Sequence, residues 1–358
     1  MQSKRLPSLR MPAPYKKILF VRTDRIGDVL VSTPALQALR KAYPDAWISA
    51  MVAPAAYPAL ELNPNVDEVL VYDKRARWGR QFQFWRQLRS RRFEIAVIAH
   101  CTNPVNWLVY LSGIPERIGY ARRAGYLLTT ALPNLKVLGE KHEAEYILDL
   151  VEKVGAKRVD PIVTFRFDPE DASFAAGMLR KMGIGEKLPV VAVHAGSSSP
   201  SKRWPKEYFA QLIARLARRD DMRVILVGGT QEMSLSHEII PEGMEHRVVD
   251  FTGLFNLREL GAVLARCALL VSADSGPVHV AAGVGTPNLT IFGRSRPGLG
   301  PKSWGPLGPG NRVIQKDVGC TECLADDCKI DLKCLKELGV EEVYQAVVEL
   351  RPQLAQFS

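Results

Sequence analysis

At 358 residues, with 47% hydrophobic and 24% charged side chains, the chain has the length for two globular domains, each burying a core of its own. Its longest apolar runs, such as residues 267–273, are far too short to span a bilayer, and basic residues 1–15 lead into no apolar signal-peptide core. A cytoplasmic protein with a flexible N-terminal arm is therefore predicted. The formal charge of +10 is lopsided: residues 1–170 hold 26 Lys/Arg against 17 Asp/Glu. Either the first half meets something anionic or its surface is merely solubilising.

In chain order, short β-branched runs alternate with amphipathic helical patterns, which predicts parallel sheets built from βαβ units. Strands are expected at 17–22, 46–52, 67–73 and 94–100, with helices over 28–43, 78–91 and 143–154. Pro161 and Pro169 mark a break, placing a boundary between 165 and 187. Residues 16–175 are then a first domain and 185–340 a second. The second half repeats the alternation: strands at 190–194, 222–228, 247–250, 268–273 and 287–292, and helices at 205–219, 231–240, 256–266 and 276–284. The Gly/Pro-rich stretch 294–310 reads as loop, and 341–358 as a C-terminal helix beginning near 340. Two doubly wound domains predict a cleft with ligands at the C-terminal ends of the strands.

Three stretches carry candidate chemistry. In VRTDRIGDVLVSTPAL (21–36), Gly27-Asp28 opens a helix at a strand's C-terminal end. Asp28 there is either a helix cap or a general base, with Asp24 in reserve. In VAVHAGSSSPSKRWPKEYF (191–209), Ser197, Ser198 and Ser199 can donate to phosphate oxygens and Lys202 can neutralise a diphosphate, unless the serines form only a flexible turn. In LLVSADSGPVHVAAGVGTPNLTIFG (269–293), Asp274, Ser275 and Gly276 mark a sharp strand-to-helix turn. Ser275 and Gly276 can hold phosphate there, whereas Asp274 as a cap and His279 as a core histidine are the plainer roles. Dinucleotide (G-x-G-x-x-G) and Walker motifs are absent.

Together these stretches resemble glycosyltransferase family 9, the bacterial ADP-heptose:lipopolysaccharide heptosyltransferases. NPNVDEVLVYD (63–73), ERIGY (116–120), VILVGGTQE (224–232), DFTGLFNLREL (250–260) and the C-terminal cysteine segment extend the resemblance over about residues 16–350. It implies a GT-B fold, two Rossmann-like domains facing a cleft, with the acceptor on the first and an ADP-sugar on the second. It also implies inverting transfer requiring no cofactor or metal. Asp28 matches the family's base, Lys202 its diphosphate lysine and Glu232 an acid that can hold the ribose hydroxyls. Asp274, Ser275, Gly276 and His279 match its D-[ST]-G-x-x-H segment. The loop from His194 to Lys202 departs from some members in length and composition, so Ser197 and Ser198 carry over less directly than Lys202. A relative acting on another nucleotide sugar or surface glycan, or an idle sugar-nucleotide-binding module, would share the fold.

Residues 74–92 hold eight cations and no acid, interleaved with Trp78, Phe82, Phe84 and Trp85. Arg75, Arg77, Arg117, Arg122 and Arg123 are candidates for binding a phosphorylated glycolipid acceptor, and the stretch suits peripheral contact with the inner membrane. No nucleic-acid-binding motif accompanies the charge, so no nucleic-acid partner is expected. Cys320, Cys323, Cys328 and Cys334 form a structural metal site, labile disulfides or free thiols. Cys101 and Cys267 sit in apolar strand-like surroundings and read as inert core residues.

Overall fold

The computed structural model describes residues 15–185, 188–244, 246–320 and 322–354. Residues 1–14, most of the expected flexible arm, lie outside them. The first lobe comprises β1 (Lys17–Arg22), α1 (Ile26–Leu30), α2 (Thr33–Ala42), β2 (Trp47–Val52), β3 (Glu68–Val71), α3 (Trp78–Ser90), β4 (Ile95–Ile98), α4 (Asn103–Leu111), β5 (Glu116–Tyr120), β6 (Thr130–Leu132) and α5 (Glu143–Glu152). The second begins with α6 (Pro169–Lys181), β7 (Val190–His194), α7 (Lys206–Ala217), β8 (Arg223–Leu226), α8 (Met233–Ile239) and β9 (Val248–Asp250). It continues through α9 (Leu257–Leu264), β10 (Leu269–Ala273), α10 (Gly276–Val284), β11 (Asn288–Phe292), α11 (Pro301–Trp304), β12 (Arg312–Gln315), α12 (Lys333–Lys336) and α13 (Val340–Leu354).

Each lobe is a six-stranded parallel sheet, ordered β3-β2-β1-β4-β5-β6 and β12-β11-β10-β7-β8-β9. The central strands are buried on both faces, as their unbroken Val/Ile/Leu runs require. The order reverses between β1 and β4 in one sheet and between β7 and β10 in the other. Those two switch points are where an open α/β sheet leaves a crevice at its strand ends. This is a GT-B architecture.

One helix expected over 28–43 is two. Ser32 Oγ donates to Asp28 O and Thr33 Oγ1 to Leu30 O, both at 2.8 Å. Pro34 has no N–H to continue the ladder, so α1 ends at Leu30 and α2 starts afresh at Thr33. Within the expected loop 294–310, Pro301 opens the single turn of α11. The chain passes between lobes at residues 164–165: Thr164 N donates to Thr33 in the first lobe, and Phe165 N to Gly283 O in the second. α6 then packs on α9, and α13 on α7, both within the second lobe.

The lobes are joined by a continuous apolar cluster, with α1 packed against α10. At that junction a Cβ on Gly27 would lie 2.8 Å from His279 Cδ2, so the glycine lets the helices close.

Candidate active site

The first-lobe half of the site is built around Arg22, the last residue of β1 and almost wholly buried. Its guanidinium donates to three carboxylates: Asp24 at 2.9 Å, Asp28 at 2.9 Å and Glu143 at 2.7 Å. Lys136 also donates to Glu143, at 2.6 Å. Three separate elements assemble the pattern. The turn after β1 brings Asp24 back to Arg22, α1 places Asp28 one turn above, and the capped start of α5 delivers Glu143. Three acids thus share two cations, with Arg22 and Glu143 buried and Asp24 and Asp28 partly so.

Burial pushes the Asp24 carboxyl up to about 6, the Arg22 charge opposing and Asp28 and Glu143 reinforcing the rise. Burial also works to raise Glu143, but Arg22 and Lys136 together hold it below the usual carboxylate range. His100, hydrogen-bonded to Thr23 across the β1/β4 switch point at 3.1 Å, is pushed down to about 4 by burial and then by Arg22, and is neutral.

The second-lobe half gathers at the ends of β7 and β10. Lys202, on a 3-10 turn over Pro200–Lys202, pairs with Asp274 at 2.8 Å. Ser197 Oγ donates to the Asp274 carbonyl at 3.1 Å, and Ser198 accepts from Arg25 of the first lobe at 3.2 Å. Ser275 and Gly276 open α10, and the start of that helix lines the cleft. His194, the last residue of β7, lies under Glu232, with Nε2 3.1 Å from its carboxylate. Glu232 occupies the space a Cβ on Gly196 would need, which explains the glycine after His194-Ala195.

A cavity of about 690 Å³ between the lobes is lined by Asp28, Ser197, Ser198, Lys202, Glu232, Asp274, Ser275, Gly276 and His279. Phe255, Leu257 and Leu260 add an apolar wall. A second cavity, of about 500 Å³, lies on the first-lobe side and is lined by Asp24, Asp28, His100, Arg122, Lys136 and Arg296 among others. Asp28 borders both. His279 is buried with its Nδ1 unpartnered, and burial pushes its pKa down to about 4.

Of the arginines picked out for an acceptor, only Arg122 lines the second cavity. Arg117 is turned inward: its Nε donates to Leu127 O at 2.7 Å, and its guanidinium lies over the Tyr110 ring. Arg75, Arg77 and Arg123 are exposed outside that cavity. The sequence reading missed Arg22, Lys136, Glu143, His194 and Arg296. His194 had a signal, a polar residue ending a buried strand; Arg22–Glu143 had none, since 121 positions separate them.

Ser199, by contrast, faces Asp326 and Arg294 rather than the cavity. The four C-terminal cysteines line one cavity of about 980 Å³ beside residues 293–297, and Cys334 donates to Gly293 O at 3.1 Å. Among the described residues, however, no three His, Cys, Asp or Glu side chains converge to hold a metal ion, so the structural-metal expectation gains no support.

A GT-B fold with Asp28 and Lys202 bordering one cleft is an architecture that glycosyltransferases use. The family model of glycosyltransferase family 9 (heptosyltransferase) matches residues 81–333, and the chain belongs to that family. It is 23% identical over 352 residues to lipopolysaccharide heptosyltransferase 2 of Escherichia coli K12, covering 94% of this chain and 95% of that protein. The family 9 glycosyl transferase of Veillonella parvula superposes with a TM-score of 0.85 at 25% identity, over 97% of this chain and 99% of that one. E. coli heptosyltransferase WaaC, solved with ADP-2-deoxy-2-fluoro heptose, superposes at 0.70 with 20% identity, over 93% and 99%.

Proposed function

We propose that the protein transfers heptose from ADP-heptose to a sugar of the inner lipopolysaccharide core, with inversion and without a metal. The observation that carries this is the position of Asp28, bordering both the cavity that holds Lys202 and the one that holds Arg122. An acceptor hydroxyl in the smaller cavity attacks the anomeric carbon of a donor in the larger one. Asp28 takes the hydroxyl proton as the new C–O bond forms, and the bond to the diphosphate breaks with its electron pair leaving on ADP. Negative charge grows on the departing diphosphate, where Lys202 and the α10 N-terminus stabilise it more in the transition state than before it.

Glu232 is placed to hold hydroxyls of the donor, and Arg122, Lys136 and Arg296 to hold acidic groups of the acceptor. The basic face of α3, with Trp78 84% and Phe82 53% exposed, suits reversible contact with an anionic inner leaflet from the cytoplasmic side. No helix among the described residues is long and apolar enough to cross a membrane.

The test is incubation of purified protein with ADP-heptose and either a Kdo-terminated or a heptosyl-terminated acceptor. One ADP released per product, with inverted anomeric configuration by NMR, is expected. A thermal-shift panel should favour ADP over UDP and GDP; a clear preference for UDP or GDP rejects the heptose donor. Vesicle binding should require anionic lipid and weaken with salt.

A further inference from the structure

His194 makes no contact with a transferring sugar in this scheme, yet it is buried beneath the donor cavity and bonded to two of its walls. Nε2 lies 3.1 Å from Glu232 Oε2, while Nδ1 lies 3.0 Å from Ser275 Oγ and 3.2 Å from Ser272 Oγ. Glu232 also accepts from Gly229 N at 2.8 Å, and His194 and that amide keep its carboxyl below the usual range although burial works the other way. A carboxylate has no proton to give, so the hydrogen between them belongs to Nε2. A neutral imidazole then has a bare Nδ1, which must accept.

Ser272 Oγ donates to Ala273 O at 2.7 Å, which commits its hydrogen. The hydrogen bond that Nδ1 accepts therefore comes from Ser275, and the Ser275 hydroxyl turns lone pairs toward the cleft. That arrangement is wrong for a diphosphate, which needs donors. If Ser275 rotates to donate to a phosphate oxygen, Nδ1 is left facing two serine oxygens with no hydrogen between them. A buried acceptor without a donor is unfavourable. A proton on Nδ1 removes the conflict: the imidazolium donates to Ser275 and Ser272 and stays bonded to Glu232.

We infer that His194 is a positioning residue that takes up a proton when a diphosphate binds, turning Ser275 from a lone-pair face into a donor. The proton comes from solvent as the diphosphate enters and returns to it when the nucleotide leaves. The charged groups sharing the cavity with the imidazole are Glu232, Asp274 and Asp28 on one side of the balance and Lys202, Arg25 and Arg294 on the other, with Arg203 acting on Glu232. An incoming diphosphate tips that balance toward a bound proton.

The inference rests on the ADP-sugar reading, and one experiment separates the two. Calorimetric titration of the full chain with ADP, at pH 7 in buffers of differing ionisation enthalpy, counts protons exchanged on binding. Ionisation of ADP itself is common to wild type and variants and cancels in their difference. Wild type is expected to take up more protons than His194→Gln, which keeps a donor for Glu232 but cannot become a cation. Lowering the pH from 8 to 6 should tighten ADP binding severalfold more in wild type than in the variant. If His194→Gln does not fold, Ser275→Ala, which removes the hydroxyl that must turn, should lower the uptake in the same comparison. Equal proton counts, with ADP bound, overturn the role of His194 alone and point to rotation of Ser272 instead. No ADP binding by wild type overturns both this and the donor assignment.

Discussion

The two lobes share a topology but handle charge in opposite ways. In the first, Asp24, Asp28 and Glu143 crowd around Arg22 with Lys136 as the second cation, so acid exceeds base in a buried setting. In the second, Lys202 pairs with Asp274 and Arg294 with Asp326, Glu232 rests on His194, and hydroxyls and a helix start complete the face. An excess of buried carboxylate seeks a proton, whereas exchangeable pairs and unpaired N–H groups receive an anion. One fold used twice thus yields an acid-rich face and a face of paired charges and hydroxyls, and both border the cleft.

The largest effect should come from the first face. Asp28→Asn is expected to lower kcat by about 10²–10⁴ while leaving ADP affinity within about twofold, as steady-state kinetics and calorimetry would show. Near-normal turnover would move the base to Asp24. On the second face, Lys202→Ala removes a charge-assisted contact of about 1.5–3 kcal/mol, so ADP should bind roughly 10- to 100-fold more weakly. A change confined to kcat would break the division of labour between lobes.

A third variant sharpens the electrostatic contrast. The Asp24 carboxyl binds its proton more tightly folded than unfolded, rising from 3.8 to about 6. The associated stability is present in full below about pH 4 and is lost as pH rises through about 6. Asp24→Asn keeps a neutral partner for Arg22, so it should be more stable than wild type at pH 8, by about 2–3 kcal/mol, and indistinguishable near pH 4. Chemical denaturation at the two pH values checks this, and a destabilised variant at pH 8 would show that Arg22 needs the full charge.

The smallest effect is at the junction. Gly27→Ala pushes a methyl against His279, with overpacking of about 1–2 kcal/mol, and should cost kcat/KM more than it costs melting temperature. Loss of stability without loss of activity would mean that the lobes close without that contact.

Chain-local features were legible before any coordinates. The strands around Phe20, Val97, Val193 and Val271 read as continuous apolar runs, and Asp28, Ser197, Lys202, Asp274 and Ser275 each follow a strand end. The α1–α2 break was less visible, because its cause is a hydroxyl pair acting with Pro34 and not a change of periodicity. The acceptor arginines show the limit more sharply. Arg75, Arg77, Arg117, Arg122 and Arg123 looked alike as cations, but backbone carbonyls take the Arg117 guanidinium and only Arg122 reaches the cavity.

By itself, then, the sequence determined two parallel sheets and the polar residues at their strand ends, because period-2 and period-3.6 patterning and turn chemistry act over a few residues. Only the tertiary structure decided which charges share a proton and which side chain answers which. Glu143 reaches Arg22 across 121 positions and Ser275 reaches His194 across 81. Electrostatics depends on distance through space and on removal of water, and neither is written in the spacing along the chain.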